Sequence, residues 1–291
     1  MVKGKNKEKT KALVLFSGGL DSRLVIKILQ DQKNPKLEVI ALMFKLPFGG
    51  GCCNNEQCSF RFSQLQGTEL KIIDCTKGKL LQEYLSLIKN PKFGRGTSLN
   101  PCIDCHLFML KKAKPIAKKL KCQFIATGEV SGQRPMSQNK NALEIIEKEI
   151  GFKPLRPLIE LGFYGRNRKP QIALAKKFNI KYPNPGGGCL LCEKEYCKKL
   201  RDLLECKQDN EISYEEILAL KGFRHFRSKN KSKGKIILGK DQKENETLES
   251  LNKTLKWNIL IPNTPCPTAI YEHSEDKKEV EKLIKDYSKK A

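Results

Sequence analysis

The sequence predicts an α/β protein with a doubly wound parallel sheet, followed by a small α+β domain. Two observations predict this class. Short apolar runs typical of buried strands alternate with segments of helical periodicity over the first two thirds of the chain. A glycine-rich turn joins the first of these runs directly to a helix. From about Glu211 the pattern changes to shorter strands and lysine-rich turns, which indicates a second domain.

Four apolar runs predict the strands of the sheet. They are Ala12–Phe16, Leu37–Phe44, Leu70–Asp74 and Cys122–Thr127. Ligands of open α/β sheets bind at the carboxyl ends of the strands. The turn that starts at Ser17 follows the first strand, and Thr127, Gly128 and Glu129 end the fourth. We therefore expect both segments to border one ligand site.

The turn reads Ser17-Gly18-Gly19-Leu20-Asp21-Ser22 and leads into an amphipathic helix. Glycines allow a sharp turn and a close approach of a phosphate, which the free N–H groups of the helix start can bind. Ser17 and Ser22 add hydroxyl donors, and Asp21 is placed to hold a metal ion or to orient a nucleophile. No Gly-Lys-Ser/Thr pair follows, so this is not a Walker loop.

The region after Glu211 predicts strands at Lys235–Gly239 and Trp257–Ile261, a helix around Asn245 and a last helix within Ser274–Tyr287. We accordingly divide the chain into a basic tail (1–10), a nucleotide-binding domain (11–208) and a C-terminal domain (211–291).

The composition indicates a compartment and a type of partner. No apolar run approaches the ~20 residues of a membrane span, so we expect a cytoplasmic protein without a membrane partner. The net charge is +24 in 291 residues, and most of the excess lies before residue 211. Such a charge favours a polyanionic partner, although lysine-rich solvated faces would give the same composition.

Twelve cysteines in a reducing compartment favour metal ligands or catalytic thiols over disulfides. Cys102 and Cys105 form one Cys-X-X-Cys pair before a basic helix, and Cys189 and Cys192 form another after a glycine run. The two pairs are too far apart for a local zinc ribbon, so the fold would have to join them. The loop with Cys52, Cys53 and Cys58 is interpreted as a mobile loop with unpaired thiols, with a second metal site or a redox-sensitive pair as alternatives.

The motif SGGLDS resembles the pyrophosphate loop of the N-type ATP pyrophosphatases, in the adenine-nucleotide α-hydrolase fold. With NPCIDC, ATGEVSGQR, LRPL at residues 155–158 and the Gly-Gly-Cys loop, in that order, the chain resembles the tRNA thiouridine synthetases over about two thirds of its length. The 2-thiouridylases carry ATGH where Glu129 stands here, so the position thiolated, 2 or 4 of the uridine, stays open, as does the tRNA.

The resemblance implies an ATP-dependent tRNA sulfurtransferase. ATP with Mg²⁺ would activate a uridine carbonyl oxygen as its adenylate, and a sulfur nucleophile would then displace AMP. The implied ATP-binding residues are Ser17, Gly18, Gly19, Asp21, Ser22, Thr127, Gly128 and Arg156. Arg156 and Arg134 are interpreted as phosphate contacts, with structural ion pairs as the alternative for both.

The resemblance also implies two forms of sulfur chemistry. A 4Fe–4S cluster held by Cys102, Cys105 and Cys189 would leave one iron open, whereas a persulfide enzyme would use the later cysteine with the earlier one as resolving thiol. The persulfide enzymes carry Asp where Cys102 stands, which favours the cluster. If Cys192 is a fourth ligand, a structural zinc site becomes the alternative. The sulfur donor would be sulfide or a cysteine desulfurase.

Two basic regions are candidates for RNA binding. In the first domain they are Lys111 and Lys118 on the basic helix, with Arg166 and Arg168 further on. The C-terminal domain resembles the RNA-binding domain of the NFACT proteins, which implies contacts from Arg224, Arg227, Lys240 and Asn245. A dimerisation or lid domain is the alternative, and a homodimer is one expectation.

Two other functions are compatible with the motifs. One is an ATP-pyrophosphatase-fold ligase that acts on a small molecule, which would need neither the cysteine pairs nor the positive charge. The other is a non-catalytic RNA-binding metalloprotein with a decayed nucleotide site, against which the intact SGGLDS argues. A test for AMP release stimulated by tRNA separates them from the sulfurtransferase.

Overall fold

The computed structural model describes residues 10–33, 37–49, 56–184, 188–230 and 233–288. The chain forms two compact units, Met1–Glu193 and Lys194–Ala291. The basic tail lies outside the described residues except for Thr10, which begins the first strand. None of the helices in these ranges is long and apolar enough to cross a membrane.

The first unit alternates strands and helices as the sequence predicts. Its elements are β1 (Thr10–Leu15), α1 (Leu20–Gln30), β2 (Leu37–Lys45), α2 (Glu56–Leu65), β3 (Glu69–Asp74), α3 (Gly78–Lys89), α4 (Cys102–Lys119), β4 (Phe124–Ala126), α5 (Lys140–Ile150), α6 (Pro157–Glu160) and α7 (Lys169–Lys177). The predicted strands are confirmed with end shifts of one or two residues. Helix α4 begins at Cys102, so the first cysteine pair lies inside the helix rather than before it.

The four strands of this unit form one parallel sheet in the order β3-β2-β1-β4. Alternate residues of β1 face opposite sides, and both sides are covered. Ala12 and Val14 pack with Leu24 of α1 in one core cluster, whereas Leu13 is buried on the other side. The doubly wound class is therefore confirmed. The strand order reverses between β1 and β4, which is where such sheets bind their ligands.

The second unit contains α8 (Lys194–Cys206), α9 (Tyr214–Ala219), β5 (Arg224–Arg227), β6 (Lys235–Leu238), α10 (Gln242–Leu255), β7 (Asn258–Leu260), β8 (Ala269–Tyr271) and α11 (Lys277–Ser288). Its antiparallel sheet has the order β5-β6-β8-β7. Ile237 and Ile270 pack on Leu248 of α10, and the opposite face packs on Val280 and Ile284 of α11. The α+β class is thus observed, with β5 and β8 added to the predicted strands.

The domain boundary predicted at 208–211 differs from the observed division after Glu193. The reason is helix α8, which packs within the second unit. The Tyr196 hydroxyl donates to the Ile217 carbonyl at 3.2 Å, and Lys199 Nζ donates to the Gly222 carbonyl at 2.8 Å. Asp202 accepts from both Arg227 and Lys235. The polar side chains of α8 therefore hold it to the C-terminal sheet.

Candidate active site

The SGGLDS turn forms a compact loop at the carboxyl end of β1. Gly18 adopts a φ of +77°, a conformation that favours glycine, and Gly19 precedes the first turn of α1. The Ser17 Oγ lies 3.3 Å from the Ser22 Oγ, and the Ser22 hydroxyl donates to the Gly19 carbonyl at 3.1 Å. Backbone N–H groups at a helix start and two hydroxyls are the donors that the predicted anion site requires.

Arg23 supports this loop through buried hydrogen bonds, a role that the sequence did not reveal. Its Nε donates to the Gly18 carbonyl at 2.8 Å and one terminal nitrogen donates to the Lys181 carbonyl at 2.8 Å. The other terminal nitrogen donates to the Cys58 Sγ at 3.0 Å, and the guanidinium lies 4.5 Å from the centroid of the Phe62 ring. Arg23 is 4% exposed. It is therefore a buried support of the loop and not a ligand-facing charge.

The segment that follows β4 packs closely against the loop. A Cβ on Gly128 would lie 2.8 Å from the Ser22 backbone nitrogen and 3.0 Å from the Asp21 carbonyl carbon. Only glycine fits this contact without a shift of backbone. The predicted juxtaposition of residues 127–129 with the pyrophosphate loop is therefore present.

Asp21 lies in the first turn of α1 and is largely buried. Burial raises the pKa of Asp21, opposed by a hydrogen bond from Gln133 and by the charges of Arg168 and Arg134. Gln133 donates to one carboxylate oxygen at 3.3 Å, while the other oxygen has no hydrogen-bond partner among the described residues. An unpartnered buried carboxylate oxygen beside an anion loop fits a divalent cation that accompanies a nucleotide.

Glu129 is the centre of a buried charge network beside the loop. Its carboxylate accepts from Arg156 at 2.7 Å, from the Thr127 hydroxyl at 2.9 Å, and lies 2.8 Å from the His106 Nδ1. Burial opposes ionisation, but the hydrogen bonds and charges of His106 and Arg156 prevail and lower the pKa of Glu129 to about 2. Arg156 also pairs with Glu147.

These contacts concern two predicted ATP-binding residues. Arg156 is 6% exposed and pairs with two carboxylates, so the structural ion pair is observed, while one terminal nitrogen has no hydrogen-bond partner among the described residues. The Thr127 hydroxyl donates to Glu129, and ATP binding by both residues stays a prediction. The sequence contains one sign of this network, which is the acidic Glu129 directly after Thr127 and Gly128. Its partners His106 and Arg156 lie 23 and 27 residues away along the chain, so the pairing itself could not be predicted.

The two Cys-X-X-Cys pairs meet around Asn100. The Cys102 thiol donates to the Asn100 Oδ1 at 3.2 Å, and the Asn100 amide donates to the Cys192 Sγ at 2.9 Å. The backbone N–H of Leu99 donates to the Leu191 carbonyl at 3.0 Å, which joins the two loops directly. Burial raises the pKa of Cys102, and the nearby Cys192 thiol adds to the rise. The predicted junction of two distant cysteine loops is therefore confirmed.

Tyr84 of α3 lies beside the other cysteine of each pair. Its hydroxyl is 3.0 Å from the Cys105 Sγ, and burial with the neighbouring Cys105 and Cys189 raises its pKa well above the ordinary value. Phe48 stacks on Tyr84 at 6.1 Å and its carbonyl oxygen lies 3.9 Å from the Cys189 Sγ. Asn100 and Tyr84 together thus border all four thiols, which we call the thiol cluster (Cys102, Cys105, Cys189 and Cys192).

The thiol cluster fits a metal group by the chemistry of its donors, because iron–sulfur clusters and structural zinc both take thiolates. Within the described ranges, no three His, Cys, Asp or Glu side chains are arranged to hold a metal ion together. Cys58 is not in a loop but in α2, where it contacts Arg23, which corrects its interpretation as an unpaired loop thiol. Cys52 and Cys53 lie outside the described residues.

Helix α4 and the end of β4 connect the loop with the thiol cluster. Helix α4 begins at Cys102, and His106 in its second turn lies 2.8 Å from the Glu129 carboxylate. The neighbouring Gly128 packs against the Ser22 backbone. The nucleotide site and the thiols form a single candidate active site.

The candidate RNA-binding residues fall into two groups. Lys111, Lys118, Arg166 and Lys240 are exposed, and Arg168 and Arg224 are half-buried. Arg227 is bound to the Asp202 carboxylate through two nitrogens at 2.9 and 3.0 Å, and Asn245 bonds the backbone of Cys266 and Thr268. The last two support the fold of the second unit, which corrects their prediction as RNA contacts.

Comparison with known proteins is consistent with the resemblance to the thiouridine synthetases. Residues 55–180 match the family model described as thiamine biosynthesis protein (ThiI). The probable tRNA sulfurtransferase of Methanocaldococcus jannaschii is 36% identical over 94 residues, which are 32% of this chain and 23% of the relative. The match thus spans less than a quarter of the length of that relative.

Solved structures of similar proteins were also found. The U34-tRNA thiolase NcsA from Methanococcus maripaludis, with its 4Fe–4S cluster, aligns with a TM-score of 0.43 and 20% identity over 75% of each chain. A 4-thiouridine synthetase in complex with RNA and bound ATP aligns with a TM-score of 0.46 and 20% identity, over 72% of this chain and 53% of that one.

Proposed function

We propose that this protein is an ATP-dependent tRNA sulfurtransferase that adenylates a uridine carbonyl oxygen and replaces it with sulfur. The observation that carries the proposal is the convergence of a pyrophosphate loop and two cysteine pairs. The two parts are joined because His106, on the helix that begins at Cys102, contacts Glu129 beside the loop. Nucleotide activation and sulfur delivery must act on the same carbon of the base, so a single site with both sets of groups is what this reaction requires. The match to the ThiI family model supports it.

In this proposal the loop binds ATP and directs its cleavage. The N–H groups at the start of α1 with Ser17 and Ser22 hold the leaving pyrophosphate, and Asp21 holds Mg²⁺ through its unpartnered oxygen. The uridine oxygen attacks the α-phosphate, so that a P–O bond forms as the bond to pyrophosphate breaks. Glu129 and Arg156 position the end of β4 against the loop.

The thiol cluster handles sulfur. Cys102, Cys105 and Cys189 would hold a 4Fe–4S cluster, which when bound supplies an open iron position for an added sulfide. Tyr84 and Asn100 keep the thiols together, whichever group they hold. Cys192 is the fourth thiol, and sulfide or a cysteine desulfurase is the donor.

For the second unit we propose RNA binding of the NFACT type, now with Arg224 and Lys240 as its candidate contacts. Lys111, Lys118, Arg166 and Arg168 would contact RNA phosphates from the first unit, which positions RNA without reading its sequence. A cytoplasmic location and a homodimer remain parts of the proposal.

The test is a thiolation assay with protein purified without oxygen. Unmodified tRNA, Mg²⁺-ATP and sulfide are incubated with the full chain, and the digested tRNA is analysed by mass spectrometry. The expected product is a thiouridine formed with AMP and pyrophosphate, and the position of its sulfur identifies the nucleoside. Absence of tRNA-stimulated AMP release would contradict the proposal and favour a binding protein.

A further inference from the structure

Tyr164 is the most exposed of the large aromatic side chains in the described residues that lie close to the candidate active site. Its side chain is 75% exposed, between Leu161, which is 54% exposed, and the charged stretch that starts at Arg166. An aromatic ring that is exposed to water does not contribute the stabilisation that burial of its apolar surface would provide. A ring held in this way on the surface is therefore available to a ligand.

The backbone fixes the position of this ring. Tyr164 forms an isolated parallel bridge with Ser131, and the Gly165 N–H donates to the Ser131 carbonyl at 2.8 Å. Gly132 has a φ of +76°, and a Cβ there would lie 3.0 Å from the Tyr164 ring. The ring therefore lies directly against the turn that follows Glu129 and Val130.

That turn leads into the candidate active site. Gln133, one residue beyond Gly132, donates to the Asp21 carboxylate at 3.3 Å. Arg134 and Arg168, on the two segments that hold the ring, both act electrostatically on Asp21. The Arg168 Nε is buried and has no hydrogen-bond partner among the described residues. An exposed ring thus borders a cationic approach to the pyrophosphate loop.

We propose that Tyr164 is a stacking platform for an unpaired base of the RNA substrate beside the site of adenylation. This inference rests on the proposed function, because it assigns the RNA contact of that same site. An enzyme that modifies a base needs the nucleotide out of its helical stack, and an aromatic face compensates for the lost stacking. Arg134, Arg166 and Arg168 supply the charges that the flanking phosphates need.

The adenine of ATP is the other base that could use this ring. The RNA base is favoured because the ring is 75% exposed and the two segments that hold it carry Arg134, Arg166 and Arg168, as at a surface that receives a polyanion. The two occupants differ in what they predict. A platform for RNA affects the KM for tRNA and the binding of an oligonucleotide without ATP, whereas an adenine platform affects the KM for ATP.

The experiment compares Tyr164→Ala, Tyr164→Phe and a matched control in the full chain. Leu65→Ala is the control, because Leu65 is 74% exposed and ends α2, shortly before β3 begins, at the opposite edge of the sheet. Binding of a fluorescein-labelled single-stranded oligouridylate is measured by anisotropy without ATP. KM values for unmodified tRNA and for ATP are then measured in the thiolation assay.

We expect Tyr164→Ala to weaken oligouridylate binding and to raise the KM for tRNA about tenfold, with the KM for ATP unchanged. Tyr164→Phe keeps the ring and should stay within about twofold of the wild type, as should Leu65→Ala. A rise confined to the KM for ATP, or equal binding by Tyr164→Ala and wild type, would overturn the inference.

Failure of the proposed function gives a different result. If the wild-type protein forms no thiouridine but oligouridylate binding still depends on the ring at position 164, the platform is supported and the sulfurtransferase is not. If the wild type thiolates tRNA and Tyr164→Ala behaves like Leu65→Ala, the platform is rejected while the activity stands.

Discussion

The pyrophosphate loop and the thiol cluster are two parts of the candidate active site, and the chain builds them in opposite ways. The loop is formed by one continuous segment, in which Ser17 contacts Ser22 and Arg23 holds Gly18. The thiol cluster is assembled from four distant segments, which contribute Phe48, Tyr84, residues 99–105 and residues 189–192. The local sequence can therefore specify the conformation of the loop. It cannot specify the arrangement of the thiols, which forms only when distant segments come together in the fold.

This difference implies that nucleotide chemistry and sulfur chemistry can be separated by substitution. The observed link between the two parts is the contact of His106, on the helix that begins at Cys102, with Glu129, which follows the glycine packed against Ser22. Changes within the thiol cluster should therefore spare the first half-reaction, and changes at the loop should impair both halves.

The largest effect is expected at the thiols. Cys102→Ala, Cys105→Ala and Cys189→Ala should each reduce thiouridine formation about 1000-fold or more, because each removes a group that the sulfur step needs. Pyrophosphate release in the first turnover with tRNA and ATP should stay near the wild-type level, since the loop is intact. Mass spectrometry of digested tRNA and a pyrophosphate assay measure the two halves.

Two further variants sharpen this result. Cys206→Ala is the control, because Cys206 is an exposed cysteine of the second unit. Cys192→Ala should keep much of the activity if three thiols suffice, although the Asn100 amide then loses its acceptor. Full thiolation by Cys189→Ala would contradict the role of the cluster.

The next effect concerns the buried network at Glu129. Its folded pKa of about 2 lies below the ordinary 4.5, so the ionised carboxylate stabilises the fold above about pH 4.5 by about 3 kcal/mol. This contribution is lost as the pH falls from 4.5 toward 2. Glu129→Gln should therefore lower the free energy of unfolding at neutral pH, and its difference from the wild type should narrow below about pH 4.5.

Chemical denaturation at several pH values measures this difference. Glu149→Gln is the matched control, because Glu149 pairs at 2.8 Å with the exposed Lys92 and is itself only partly buried. Solvent screening makes such a pair nearly neutral for stability, so this variant should unfold almost as the wild type does. An equal decrease in the free energy of unfolding of both variants would show that the buried network stabilises the fold no more than the pair of Glu149 with Lys92 does.

The sequence predicted the loop better than its supports. The apolar run, the glycines and the amphipathic helix are adjacent, so the pattern located β1 to within two residues and placed the turn and α1 directly after it. The burial of Arg23 and Arg156 was not predictable, because their partners Cys58, Lys181, Glu129 and Glu147 are distant in sequence. A charged residue in a sequence does not reveal whether it faces a ligand or a buried carboxylate.

The second unit shows the same contrast on a larger scale. Strand β8 has three residues, Ala269–Tyr271, in a proline-rich segment, so it is too short for a periodic signal. Helix α8 follows the second cysteine pair without a break in the pattern, and only its contacts through Asp202 and Lys199 assign it to the C-terminal unit. Boundaries made by packing are visible only once the fold is known.

Arg23 supports the loop through the Gly18 carbonyl, so its substitution should weaken ATP binding. Arg23→Lys keeps the charge but cannot bond Gly18, Lys181 and Cys58 at once, so the Gly18 carbonyl loses its buried donor. A hydrogen bond from a charged group contributes about 1.5–3 kcal/mol, which predicts a KM for ATP raised about tenfold or more. Cys58→Ala removes one acceptor only and should change the KM much less. Similar effects of both would indicate that the thiol, not the Gly18 carbonyl, is the essential partner.

The smallest effect, and the most local, is expected where β4 meets the loop. In Gly128→Ala the new Cβ would lie 2.8 Å from the Ser22 backbone nitrogen, and neither backbone segment can rotate away as a side chain could. Such overpacking costs about 1–3 kcal/mol, so both the unfolding midpoint and the affinity for ATP should fall.

Gly188→Ala is the matched control, because a Cβ there meets nothing within 4 Å among the described residues and its φ is not left-handed. Isothermal titration with ATP and thermal unfolding compare the two variants. Because Gly188 precedes Cys189, an equal loss of ATP affinity in both would mean that the loop and the thiol cluster are one rigid assembly, against the separation argued above.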